Sequence, residues 1–80
     1  MAVSKPLIVN AIWDSEANVW VATSTDVPGL ATEAESLDLL VPKLKVMIPE
    51  LLNLNGCTEG EEIPFTVLSE INEIAHREAA

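Results

Sequence analysis

The run Ser36-Leu37-Asp38-Leu39-Leu40-Val41-Pro42-Lys43-Leu44-Lys45-Val46-Met47-Ile48-Pro49-Glu50-Leu51 decides the fold. Leu37, Leu40, Val41, Leu44, Met47, Ile48 and Leu51 recur at the i, i+3, i+4, i+7 spacing of one helical face, while Asp38, Lys43, Lys45 and Glu50 fall off it. Ser36 suits the N-cap, because its hydroxyl can accept from a backbone N–H of the first turn. Gly56, just after Asn53 and Asn55, supplies a stop. Pro42 and Pro49 oppose this reading, since a proline inside a helix costs about 3 kcal/mol. Pro42 lies near the start and is partly tolerated; Pro49 predicts a kink or a local break. Burying the apolar stripe, at roughly 1.5–3 kcal/mol per side chain, outweighs both defects.

Upstream the period changes to two. Leu7-Ile8-Val9-Asn10-Ala11-Ile12-Trp13 and Val19-Trp20-Val21-Ala22-Thr23-Ser24-Thr25 read as strands, rich in branched and aromatic side chains. Asp14 to Asn18 between them reads as a five-residue hairpin loop. Symmetric closure sets Trp13 opposite Val19 and Ala11 opposite Val21. Val9, Ala11, Trp13, Val19 and Val21 then share the face against the helix. Ile8, Asn10, Ile12, Trp20, Ala22 and Ser24 share the other, whose large apolar groups suit partial cover by a partner. Val27-Pro28-Gly29-Leu30 fits a type II turn, with proline fixing φ at the first central position and glycine taking φ > 0 at the second. A short third strand follows around Leu30 to Glu33.

Downstream, Ile63-Pro64-Phe65-Thr66-Val67-Leu68 reads as a last strand with Pro64 at its beginning or on an edge. Residues 71–80 form a tail that is either a short helix, with Ile71, Ile74 and Ala75 on one side, or a strand extension. The class is α+β: a three-stranded antiparallel meander, one long helix packed on one sheet face, then a fourth strand, in the order β-β-β-α-β. Eighty residues make one domain, 1–80, with a core over about 6–70.

Composition excludes several functions. Four basic residues against thirteen acidic ones, a net charge of −9, argue against nucleic-acid binding, which neutralises phosphates with Lys and Arg. The same charge steers basic proteins inward. A hydrophobic share of 49% is too high for intrinsic disorder. No secretory leader or membrane-length apolar run is visible, and Cys57 as the only cysteine suits a reducing compartment, so the cytoplasm is expected.

Catalytic chemistry finds no footing. His76 and Cys57 are far apart in sequence and lack zinc-site spacing, and no glycine-rich phosphate loop exists. Asp14, Asp26 and Glu33 lie at strand ends and could gather a divalent cation, but Asp14 and Asp26 are ordinary turn residues that bond their own backbone. No catalytic residue, metal ligand or cofactor site is expected. Trp13 and Trp20 without a basic groove are packing residues rather than base-stacking ones. Trp20, Ile8 and Ile12 are the candidate interface residues, because their shared face is mixed.

Trp20-Val21-Ala22-Thr23-Ser24-Thr25-Asp26-Val27-Pro28-Gly29-Leu30-Ala31-Thr32, followed by Ser36 and the helix, resembles the HicB-like antitoxin domain. Asp26, Pro28, Gly29 and Thr32 are the residues of that family's turn motif. Over Leu7 to about Val67 the chain looks more closely like a small stand-alone subfamily of unknown function within the same fold. Ala11 to Asp14, Val19 to Ala22 and Met47-Ile48-Pro49-Glu50-Leu51-Leu52 carry that likeness. The resemblance implies a partial ribonuclease H-like sheet without catalytic carboxylates. It also implies neutralisation of a small basic RNA-cleaving toxin of the HicA type by direct binding. Eleven residues after Ser69 are too few for the helix-turn-helix that such antitoxins use on operators, so DNA binding is not carried over. The alternative expectation is a self-associating domain with no toxin partner.

Overall fold

A computed structural model of the chain describes residues 5–57 and 60–78. Three strands come first: β1 (Leu7–Asp14), β2 (Val19–Thr23) and β3 (Ala31–Ala34). Helix α1 (Leu37–Leu54) and strand β4 (Phe65–Glu70) follow. The sheet order is β3-β2-β1-β4, with β1–β2 and β2–β3 antiparallel and β1–β4 parallel. The fold is therefore α+β in β-β-β-α-β order. Because β3 and β4 run the same way at opposite edges, no hairpin can join them, and α1 supplies the crossover.

The helix obeys its sequence signals. Ser36 has extended backbone and its Oγ accepts from the Leu39 N–H at 3.1 Å. At the other end Gly56 takes φ +83, the Gly56 N–H donates to Asn53 O at 3.1 Å and the Cys57 N–H to Leu52 O at 2.8 Å. That pair of bonds is a Schellman cap, which satisfies carbonyls the helix leaves open. Contrary to a local break at Pro49, the helix is continuous through both prolines. The carbonyls that lose donors belong to Asp38 and Lys45. Lys45 and Asp38 are both exposed, so both carbonyls stay in reach of water. Leu40, Leu44 and Ile48 on the inner side are essentially fully buried.

The hairpin departs from the sequence expectation by one residue. The pairs are Asp14 with Val19, Trp13 with Trp20, Ile12 with Val21 and Ala11 with Ala22. Asp14 stays in the strand, and its Oδ1 accepts from the N–H groups of Glu16 at 3.0 Å and Ala17 at 3.2 Å. Asn18 closes the loop in the left-handed region at φ 58, donating to Asp14 O at 2.7 Å. The loop thus has an even length, Ser15 to Asn18, and one residue of slip exchanges the faces of β2. Trp20 and Ala22 face the helix; Val19 and Val21 face away. The core is Val9, Ala11, Ala22, Val27, Leu30, Ala34, Leu40, Leu44 and Ile48, with Trp20, Leu37, Leu51, Phe65 and Val67 packed around it.

The turn motif does structural work. Leu30 N donates to Val27 O at 3.1 Å across Pro28 and Gly29, and Gly29 has φ +87, as a type II turn requires. Asp26 Oδ2 accepts from the Ile8 N–H at 2.8 Å, and the Ser24 hydroxyl donates to Ile8 O. Strand β2 ends at Thr23, so these two side chains replace the ladder partners Ile8 would otherwise lack. Pro28 O accepts from Asn55 Nδ2 at 3.3 Å, and Thr32, half-buried, pairs with Ala22. The fourth strand begins at Phe65, after Pro64, and residues 71–78 carry no helix or strand; 79–80 lie outside the described residues.

Candidate partner-binding face

The sheet has one face under α1 and one face that no other element covers among the described residues. Alternation along each strand fixes who occupies the open face. From β1 come Ile8, Asn10, Ile12 and Asp14, and from β2 Val19, Val21 and Thr23. Strand β3 adds Ala31 and Glu33, and β4 adds Thr66, Leu68 and Glu70. Register sets Val21 beside Ile12 at the centre, with Glu33 flanking Val21 on one edge strand and Glu70 flanking Ile12 on the other. Leu68 pairs with Asn10 in the next row, and Ile8 with Thr66 in the row beyond. Ile12 is 45% and Leu68 52% exposed, while Ile8 and Val21 are half-buried.

Ile8 and Ile12 therefore do share an open face, as the alternation of β1 predicts. Trp20 is not with them; the register correction places it on the helix side, stacked edge-on with Trp13 at a centroid distance of 5.5 Å and an interplanar angle of 61°. Those two rings, Leu37 and Ile71 line a shallow hollow of about 420 Å³ rimmed by Glu35 and Asp38. Leu68 is not among the interface residues the sequence suggests, because the neighbour of the last strand is not encoded in its own alternation.

The face is apolar at its centre and acidic at both edges. Asp14 and Asp26 spend carboxylate oxygens on backbone N–H groups at opposite ends of β1. Among the described residues no group of three His, Cys, Asp or Glu side chains is placed to hold a metal ion. Cys57 is exposed just past the helix and His76 exposed in the tail. No helix among the described residues is long and apolar enough to cross a membrane.

No curated protein matches the chain. It is similar to the crystal structure of a hypothetical protein from the extremely thermophilic bacterium Thermus thermophilus. The TM-score is 0.69 at 49% sequence identity, over 91% of this chain and 100% of that one. Residues 6–77, from Pro6 through the tail, match a single family description, and the chain belongs to that family, the domain of unknown function DUF1902.

Proposed function

We propose that this chain is a non-catalytic protein-binding domain of the HicB-like antitoxin type, and that its open sheet face covers a small basic RNA-cleaving toxin of the HicA type. The observation that carries the reading is the row Glu33, Val21, Ile12, Glu70 across all four strands. An apolar centre excludes water from the contact, and carboxylates on both flanks select cationic side chains at its rim. The net charge of −9 adds long-range attraction for such a partner and repels RNA and DNA. The likeness of Trp20 to Thr32 to the antitoxin turn motif supports the same class. A cytoplasmic location and the absence of any cofactor belong to this reading.

The test is co-expression with a small basic protein encoded beside this chain, read out as growth rescue and as binding by calorimetry. Ile12→Asp should weaken binding at least tenfold, the effect of about 1.4 kcal/mol, while leaving the Tm within a few degrees of wild type. Lack of any such neighbour, together with no binding to co-expressed toxins of this type, would sink the proposal.

A further inference from the structure

The two edges of the sheet are treated differently. In β3 the pairs Trp20 with Ala34 and Ala22 with Thr32 turn the Glu33 backbone outward, and its carbonyl accepts from Lys43 Nζ at 2.6 Å. A short strand with a lysine across its outer edge is a guarded edge. Strand β4 is longer and carries no lysine or proline between Phe65 and Glu70. Leu7 N donates to Pro64 O at 3.0 Å, and Leu7 pairs with Phe65. In a parallel ladder this directs the N–H and C=O groups of Thr66, Leu68 and Glu70 toward β1. Those of Phe65, Val67 and Ser69 point out of the sheet, with no backbone partner among the described residues. Beyond them the tail exposes Ile71 by 54% and Ile74 by 80%.

We infer that β4 pairs with β4 of a second copy, antiparallel about a two-fold axis at Leu68, to make one eight-stranded sheet. Only registers that match outward-pointing residues with each other form a ladder. The axis at Leu68 does so, setting Phe65 opposite Ile71 of the other copy and Val67 opposite Ser69. Each of those pairs exchanges two N–H···O bonds. It also sets helix-side apolar groups together, since Phe65 and Ile71 both fall on that face, and keeps Glu70 opposite Thr66 rather than another carboxylate.

The rest of the tail selects the same occupant. Phe65 lines a hollow of about 510 Å³ together with Leu44, Lys45, Ile48, Glu61 and Ile63. Continuing the register carries the other copy's tail past this hollow. Its Glu73 falls opposite Ile63, which lines this hollow together with Lys45. Glu73 of the incoming tail thus meets one of the four basic residues of a strongly acidic chain, a complementarity that a second copy of this chain supplies. The contact lies in the plane of the sheet and does not depend on what the open face binds.

Sedimentation of the full chain should give twice the monomer mass of 8.6 kDa. Ser69→Pro removes an outward N–H and leaves the β1 ladder untouched, because Ser69 donates nothing to β1; it should give monomer with an unchanged far-UV spectrum. With Cys57→Ser as background, Leu68→Cys brings two thiols together at the axis, in a non-hydrogen-bonded pair with Cα atoms about 4.5 Å apart, and mild oxidation should cross-link it. Thr66→Cys in the same background should not. A wild-type chain that stays monomeric at high concentration overturns the inference, as does a dimer that survives Ser69→Pro. If Ser69→Pro fails to fold, cross-linking through position 66 and not 68 is equally decisive against it.

Discussion

Ser24→Ala is the substitution that most directly tests how β1 is held. The Ser24 hydroxyl uses its full capacity, donating to Ile8 O and accepting from the N–H groups of Asp26 at 3.0 Å and Val27 at 3.2 Å. Two of these bonds, to Ile8 O and from Val27 N, are partly buried, and the third is exposed. Alanine cannot replace any of them, and Asp26, whose carboxylate holds the Ile8 N–H, loses the bond that orients its own backbone. Counting about 1 kcal/mol for each partly buried bond and little for the exposed one gives a loss of about 2 kcal/mol. For a domain of this size that lowers the Tm by about 8–16 °C. The assay is thermal and urea unfolding followed by far-UV circular dichroism, with the slope in urea expected to stay constant because the surface exposed on unfolding is unchanged. Ser15→Ala, in the exposed hairpin loop, serves as the control and should move stability by less than about 0.5 kcal/mol. Equal, small effects of the two substitutions would refute the account of Ser24 and Asp26 as the partners that finish the sheet beyond Thr23.

Gly29→Ala should cost about 1–2 kcal/mol in the same urea assay, because φ +87 is left-handed for an L-residue. An added Cβ would sit 3.5 Å from Leu51 Cδ2, an ordinary contact, so the penalty is one of backbone and not of space; a loss above about 4 kcal/mol would contradict that. Val21→Lys and Ala22→Lys separate the two possible hairpin registers. With Val21 on the open face and Ala22 fully buried, the first should unfold within about 1 kcal/mol of wild type and the second should not fold at all, since among the described residues the core holds no polar or charged side chain to pair with a buried ammonium. The reverse ranking would restore the slipped pairing.

The helix was legible because its signal accumulates over many residues: the apolar stripe, the Ser36 cap and the Gly56 stop agree with one another, and two prolines could not outweigh them. Element order and the Pro28-Gly29 turn were legible for the same reason, that a specific φ demands a specific residue. The hairpin register was not. Loops of four and five residues are both common, and the choice between them here depends on Asp14 folding its carboxylate back onto Glu16 and Ala17 while remaining in the strand. Asn18 as a left-handed residue was the available clue, since asparagine tolerates that region better than most. The slip moves Trp20 to the other face but leaves Ile8 and Ile12 in place, because alternation within β1 does not depend on β2. Leu68 could not be assigned to the same face from sequence, as the parallel neighbour of β4 is a long-range choice.

The corrected register changes what the open face can do. With Trp20 turned inward there is no aromatic anchor among Ile8, Ile12, Val21 and Leu68, so binding there has to come from aliphatic area and from the flanking Glu33 and Glu70. A single aliphatic face of this size is a modest source of affinity. Pairing through β4 would place the open faces of two copies side by side, with Leu68 of each at the seam and both Glu70 side chains inside the enlarged surface. A partner that engages both halves, or two linked partners, then gains from effective concentration without any new kind of contact. In-plane pairing leaves the open face uncovered but moves Glu70 from its rim to its interior, so Glu33 of each copy is then the carboxylate at the outer flanks. The proposed self-association and the proposed partner binding are for this reason compatible rather than alternatives between which the sheet must choose.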